Sequence, residues 1–192
     1  MVTLNLSPTL QLTNEAFEQL CRQNPDLRLE RTAQGELIAM APAGSESARQ
    51  NLSLSAQLWQ WNQQTRLGVV FDSSAGFTLP NGAIRSPDAA WIARSRWNSL
   101  TREQRRKFAP LCPDFVLELK SPNDDLSALQ AKLQEYIANG AQLGWLIDPD
   151  TRQVYCYRPR QAVLVCDHPD TLSGDPVLPH FTMDFTLIWN SD

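Results

Sequence analysis

Pro113-Asp-Phe-Val-Leu-Glu-Leu-Lys120 is the stretch on which the reading of this chain turns. Its apolar residues recur at every second position, the pattern of a strand that sends alternate side chains to opposite faces. Phe115, Leu117 and Leu119 then enter a core, and Glu118 and Lys120 project together from the other face. A carboxylate and an amine on a mostly apolar strand admit two explanations. One is an ion pair two residues apart at a sheet edge, which contributes little. The other is a metal-binding carboxylate beside a cation, a layout suited to phosphoryl chemistry.

Outward from this strand, the nearest candidate partner carboxylate is Asp88 in Arg85-Ser-Pro-Asp-Ala-Ala-Trp-Ile92, on a strand expected over 84–93. Mg²⁺ takes oxygen ligands and keeps several waters, so two carboxylates on neighbouring strands can hold it. Asp114 shares the Glu118 face but sits ~13 Å away along an extended strand, too far to share one ion. Asp88 is the better partner. A metal so held polarises a phosphate and lowers the pKa of a bound water, while Lys120 orients that water or neutralises transition-state charge. The only histidines are His168 and His180, each beside a proline, which excludes a zinc hydrolase built on several His ligands.

Around these segments the chain reads as alternating elements. Thr13 is positioned to cap a helix through Gln23, with Glu15 in its first turn. Residues 27–31 and 36–41 form a hairpin about Gly35. A second helix spans 45–65, with Ala48, Leu52, Ala56 and Trp59 at helical spacing. Strands follow at 68–72, 76–79, 84–93 and 114–120, the first three separated by Ser73-Ser74 and Pro80-Asn81-Gly82. Ser121-Pro-Asn-Asp124 starts a helix with the stripe Leu126, Leu129, Leu133 and Ile137, ended by Asn139-Gly140. A buried strand at 143–148 and a meander at 153–157 and 162–166 come next; 184–189 is ambiguous and suits a segment covering the sheet. The expectation is one α/β (α+β) domain over 1–192, a central mixed sheet flanked by helices.

Composition is that of a globular protein: of 192 residues, 42% are hydrophobic and 20% charged. No run approaches the roughly 18 apolar residues of a membrane span, and residues 1–12 lack a signal-peptide layout, so a cytoplasmic location is expected. Cys21, Cys112, Cys156 and Cys166 are scattered, with no Cys-x-x-Cys pair, and read as reduced thiols in or near the core. Net charge is −4, yet Arg94, Arg96, Arg102, Arg105, Arg106 and Lys107 face only Glu103 within one stretch, a local +5 against −9 elsewhere. Such an island can hold phosphates, or it is a solvated charged segment. No G-x-x-x-x-G-K-[ST] or G-x-G-x-x-G loop occurs, so nucleotide-driven chemistry is not indicated.

Pro87-Asp88 followed, after 29 residues, by Glu118-Leu-Lys120 resembles the PD…(D/E)xK signature of restriction-endonuclease-like nucleases. Ser86-Pro-Asp-Ala-Ala-Trp91, Pro113–Pro122, Lys132-Leu-Gln-Glu-Tyr136, Gly140 and Gly144-Trp-Leu-Ile-Asp148 together are similar to the Uma-type restriction endonuclease family, from about residue 12 to 190. The resemblance implies a restriction-endonuclease-like fold, often in a homodimer, and a Mg²⁺- or Mn²⁺-dependent endonuclease acting on nucleic acid, DNA by preference. It implies Asp88 and Glu118 as metal ligands, the Leu119 carbonyl as a further ligand, and Lys120 as the catalytic amine. Lys132, one turn before Tyr136, either reaches the site or snorkels at the surface. Glu46 matches a position where such nucleases place another acid, or simply suits a helix N-terminus. Trp91 and Trp145, on strands, read as core; all six tryptophans, Trp59 and Trp61 among them, could stack on bases. The competing function is a module on the same fold that binds nucleic acid or protein without cutting.

Overall fold

The computed structural model of the chain describes residues 2–6 and 12–189. Strand β1 (Val2–Leu4) precedes helix α1 (Asn14–Gln23), strands β2 (Arg28–Arg31) and β3 (Leu37–Met40), and the long helix α2 (Ser45–Thr65). Strands β4 (Gly68–Asp72), β5 (Phe77–Thr78), β6 (Ile84–Arg85) and β7 (Ala89–Ala93) lead into helix α3 (Arg94–Ser99) and a 3-10 turn at Gln104–Arg106. Strand β8 (Phe115–Leu119), helix α4 (Leu126–Ala138) and strand β9 (Leu143–Asp148) follow. Strands β10 (Gln153–Tyr157), β11 (Leu164–Asp167), β12 (Thr171–Ser173) and β13 (Thr182–Asp184) precede the short helix α5 (Thr186–Trp189).

The central sheet has the order β11-β10-β9-β8-β7-β4. It is mixed: β8 runs parallel to β9, with Glu118 opposite Leu146, and antiparallel to β7, with Ala89 opposite Leu117. A parallel pair needs a crossover, and α4 supplies it. The alternation expected of β8 holds along the strand. Phe115, Leu117 and Leu119 join Leu54, Leu58 and Trp61 of α2 and Ile188 of α5 in one core. Val116 faces the opposite core, with Leu129, Leu133 and Tyr136 of α4. The sheet is therefore an α/β layer covered on both faces. Trp91 and Trp145 are buried in it, and the four cysteines are free thiols. A second sheet, ordered β1-β3-β2-β6-β5, lies beside it.

Local signals explain the helix starts. The Thr13 hydroxyl accepts from Ala16 N at 3.2 Å, and the Asp125 carboxylate accepts from Ser127 N at 2.9 Å. At Gly68 a side chain is impossible without rearrangement: a Cβ would lie 2.3 Å from the Trp91 ring and from the Ile92 carbonyl. Asn62 closes that joint, accepting from Gly68 N and donating to Gly68 O.

Two expectations are corrected. Strand 84–93 is broken: Pro87 cannot donate to a ladder, and the Ser86 amide is taken by Glu30 Oε1 at 2.9 Å. Residues 84–85 thus belong to one sheet and 89–93 to the other, with Asp88 at the crossing. The apolar stripe of α2 is also turned the other way. Leu54, Leu58 and Trp61 are buried, whereas Leu52 is 70% and Trp59 57% exposed. The helix carries two stripes at helical spacing, and periodicity alone does not choose between them. Strand β11 is an exposed edge shifted to 164–167, and the ambiguous 184–189 covers the sheet through Ile188 and Trp189. Among the described residues no helix is long and apolar enough to cross a membrane.

Candidate active site

The antiparallel pairing of β7 and β8 sets Asp88, just before β7, across from Glu118, near the end of β8. Asp88 Oδ2 accepts from the Leu119 amide at 2.9 Å, fixing the Asp88 carboxylate against the partner strand. Its Oδ1 lies 3.8 Å from an Arg28 nitrogen, and Arg28 is itself held by the Ser73 carbonyl at 3.2 Å. Asp88, Glu118, Leu119, Arg28 and Lys132 line one cavity of about 300 Å³.

Behind the cavity lies a buried ionic network that joins the two sheets. Lys132 Nζ stands 2.8 Å from Glu118 Oε1 and 2.8 Å from Glu30 Oε1, and all three side chains are at most 7% exposed. Tyr136, one turn on along α4, donates to the same Glu118 oxygen at 3.2 Å. Glu30 Oε2 accepts from Arg85 at 3.1 Å, and Arg85 reaches Glu135 at 2.6 Å. The Lys132 and Tyr136 contacts both fall on Oε1 of Glu118, whose side chain lines the cavity.

The electrostatics follow from this layout. Burial, with the Asp88 and Glu30 charges adding to it, outweighs the pull of Lys132 and pushes the Glu118 carboxyl up to about 8. Burial also raises Asp88, against the Leu119 amide, Lys132 and Arg28. Glu30 differs: burial pushes it up, but Lys132 and Arg85 more than offset that and hold it below the usual carboxylate range. Burial would neutralise Lys132, yet Glu118 and Glu30 keep it charged well above the normal lysine range. Two carboxylates whose charge is costly in the free protein, lining one cavity, suit a divalent cation that would neutralise them. Among the described residues no group of three or more His, Cys, Asp or Glu side chains forms a metal cluster. Asp88 and Glu118 line the cavity and could hold an ion, with Leu119 also on its wall.

The other expected residues lie elsewhere. Strand β8 ends at Leu119, and Lys120 departs from the Glu118 face: its amine is 2.9 Å from Asp150 and 3.6 Å from Asp148. It lines a different cavity, which Glu46 shares. Glu46 pairs there with Arg49 at 2.6 Å on an exposed helix turn. The structure brings Lys132, and not Lys120, against Glu118. Asp114 accepts from Ala93 N at 2.8 Å and from Arg96 at 2.7 Å, at the other end of β8.

The basic island divides. Arg94 and Arg96 sit at the end of β7 opposite Asp88, ~17 Å along the strand, and bind the Arg66 carbonyl and Asp114. Arg102 and Arg106 are exposed, and Lys107 pairs with Glu103 at 3.3 Å. Arg105 lies over the Trp97 ring at 5.2 Å and folds back toward β5. Sequence reasoning missed Glu30, Arg28 and Arg85. On the short strand Arg28-Leu-Glu-Arg31 two charges read as solvent-facing, and nothing local reveals that another sheet and α4 bury Glu30.

A mixed sheet between helices, with two carboxylates set across neighbouring strand ends, defines the restriction-endonuclease-like class. The chain belongs to the Uma2 family, described as "Putative restriction endonuclease", whose model matches residues 14–186. Among solved structures, "a putative nuclease belonging to DUF820" from Anabaena variabilis ATCC 29413 is similar, with a TM-score of 0.77 and 21% identity. That match covers 93% of this chain and 97% of the other, and at such identity it speaks for the fold. No curated protein matches the chain.

Proposed function

We propose that this protein is a Mg²⁺- or Mn²⁺-dependent endonuclease that hydrolyses phosphodiester bonds, in DNA by preference. The observation that carries the reading is the cavity that Asp88 and Glu118 line together from neighbouring strands, with Arg28 and Lys132 beside them. Asp88, Glu118 and the Leu119 carbonyl would hold the metal, which when bound supplies Lewis-acid polarisation of the phosphate and a water of lowered pKa.

The chain's own residues then have distinct tasks. The Leu119 amide orients Asp88, and Tyr136 and Lys132 fix one oxygen of Glu118. Lys132 carries three N–H donors and commits two to Glu118 and Glu30, leaving one for a phosphate oxygen or water in the cavity it lines. Arg28, 38% exposed beside Asp88, is placed to neutralise a phosphate. In the net reaction water adds to phosphorus, one P–O ester bond breaks, the water's proton leaves to solvent and the departing oxygen gains one. Lys120, tied to Asp148 and Asp150, lines the neighbouring cavity and has no task here.

The second reading, a module that binds without cutting, is favoured by the net charge of −4. Calorimetry with Mg²⁺ and Mn²⁺ separates the two. The nuclease reading expects stoichiometric metal uptake by the wild type and none by Glu118→Ala. A folded wild type that takes up neither ion contradicts it.

A further inference from the structure

Three further cavities continue from the carboxylate cavity and share residues with one another. The second shares Arg28, Asp88 and Leu119 with the first and adds Asn51 and Asp72. The third shares Leu52, Ser55 and Asp72 with the second and adds Trp59 and Val70. The fourth shares Phe71, Ser74 and Ala75 with the third and ends on Trp97, Arg105, Arg106 and Lys107. Their shared lining residues string them into a trough that passes the edge strand β4. It runs from the candidate active site, past an exposed apolar ledge, to the basic end of the island. Between Ser47 and Trp59 it follows α2 for ~18 Å, the span of a few nucleotides.

Two features distinguish this trough from an ordinary surface groove. Its ledge carries Trp59, 57% exposed, and Leu52, 70% exposed, which the fold leaves uncovered although both sit at core-like spacing. Its walls also hold unpaired polar groups. Among the described residues, five buried side-chain N or O atoms have no hydrogen-bond partner. Four of them, Arg28 Nε, Asn51 Oδ1, Ser55 Oγ and Arg105 Nε, belong to side chains lining the trough. Buried polar groups are ordinarily satisfied, and these four concentrate along one path.

We infer that the trough is a track for a single-stranded polynucleotide whose bases stack on Trp59 and whose phosphates lie against Arg28 at one end and Arg105, Arg106 and Lys107 at the other. This rests on the nuclease reading for its direction toward Asp88 and Glu118. A duplex hides its base faces and presents phosphates and groove edges, so an apolar ledge offers it nothing. A single strand exposes those faces, and cations flanking an aromatic shelf meet both parts of it. The acidic group in the path, Asp72, is occupied by the Ser74 amide at 3.0 Å and the Ser74 hydroxyl at 2.5 Å. Those bonds keep Asp72 ionised, with the Arg28 charge acting on it, and at the basic end Glu18 is paired with Arg22 at 3.5 Å.

The test is fluorescence anisotropy of labelled 12-mers of dT and U and of a 12-bp duplex, in EDTA so that nothing is cut. Wild type should prefer a single strand over the duplex, and the dT and U arms show which sugar is favoured. Trp59→Ala should weaken single-strand binding on the order of tenfold, Trp59→Phe should restore most of it, and duplex binding should not change. In Arg106→Ala/Lys107→Ala the slope of log affinity against log salt should be shallower by about 1.4 for a single strand. Binding that favours the duplex, or ignores Trp59, overturns the track. So does sedimentation showing a dimer that Trp59→Ala dissociates, because a second copy of the chain would then cover the ledge. The two readings fail separately. Trp59-dependent binding without metal-dependent cleavage removes the nuclease reading alone, and cleavage lost in Glu118→Gln with binding indifferent to Trp59 removes the track alone.

Discussion

Lys132→Met removes the one ammonium that Glu118 and Glu30 share, at 2.8 Å from each, and leaves both carboxylates buried. Among the described residues Glu30 retains Arg85 and the Ser86 amide, whereas Glu118 retains only the Tyr136 hydroxyl. At pH 9, where Glu118 is ionised, breaking this buried pair by deleting one partner should cost about 3–5 kcal/mol, because the other charge stays desolvated. At about 2–4 °C per kcal/mol for a chain of this length, the melting temperature should fall by roughly 6–20 °C. The deficit depends on pH in a definite direction. Glu118 already titrates at about 8 and rises further without the amine. A carboxyl whose folded pKa is raised contributes stability that is fully present below its unfolded pKa and lost as pH rises through the folded value. The variant should therefore lose more, relative to wild type, at pH 9 than at pH 6. Adding Glu118→Gln should recover the pH-dependent part, since the amide needs no counter-charge. Urea denaturation of the two single variants, the double variant and the wild type at both pH values measures this. A deficit under about 1 kcal/mol that does not change between pH 6 and 9 would refute the buried network.

Other consequences are equally direct. Because Glu118 holds a proton below about pH 8 in the free protein, Mg²⁺ uptake at pH 7 should release about one proton and at pH 9 close to none. Calorimetry in buffers of different ionisation enthalpy reads this number, and release that is equal at both pH values contradicts the assignment. Asp114→Ala should cost about 1–3 kcal/mol, by stripping Ala93 N and Arg96 of their acceptor, yet leave metal uptake intact. Asp88→Ala should abolish uptake, and equal metal binding by the two variants would undo the distinction between them. Gly68→Ala should lower the urea midpoint by an amount equivalent to about 1–3 kcal/mol, since its methyl meets the Trp91 ring and the Ile92 carbonyl.

The sheet was legible wherever a strand is bounded by its own chemistry. Residues 68–72, 143–148 and 153–157 are strands where alternation, length and turn residues place them, and α2 has its expected bounds. Asp88 and Glu118 were expected on neighbouring strands, and β7 and β8 are neighbours, antiparallel to one another. The amine was not. Strand alternation carries Lys120 to the Glu118 face only while the strand lasts, and Lys120 lies one residue past its end, where Asp148 and Asp150 capture it. Lys132 reaches the site because the crossover helix lies on that face of the sheet, a long-range fact that local spacing does not contain. Glu30 is hidden for the same reason, since its partners lie 55 and more positions away. The two apolar stripes of α2 show the converse: both were legible, and only packing decided which one is core.

Supercoiled plasmid and short oligonucleotides incubated with Mn²⁺ or Mg²⁺ test the central claim most directly, comparing wild type with Asp88→Asn, Glu118→Gln and Lys120→Met. The account predicts metal-dependent cleavage by wild type, its loss in Asp88→Asn and Glu118→Gln, and its survival in Lys120→Met, because that amine faces the other cavity. Cleavage that persists in Glu118→Gln, or a metal-loaded wild type that cuts no substrate, would contradict it.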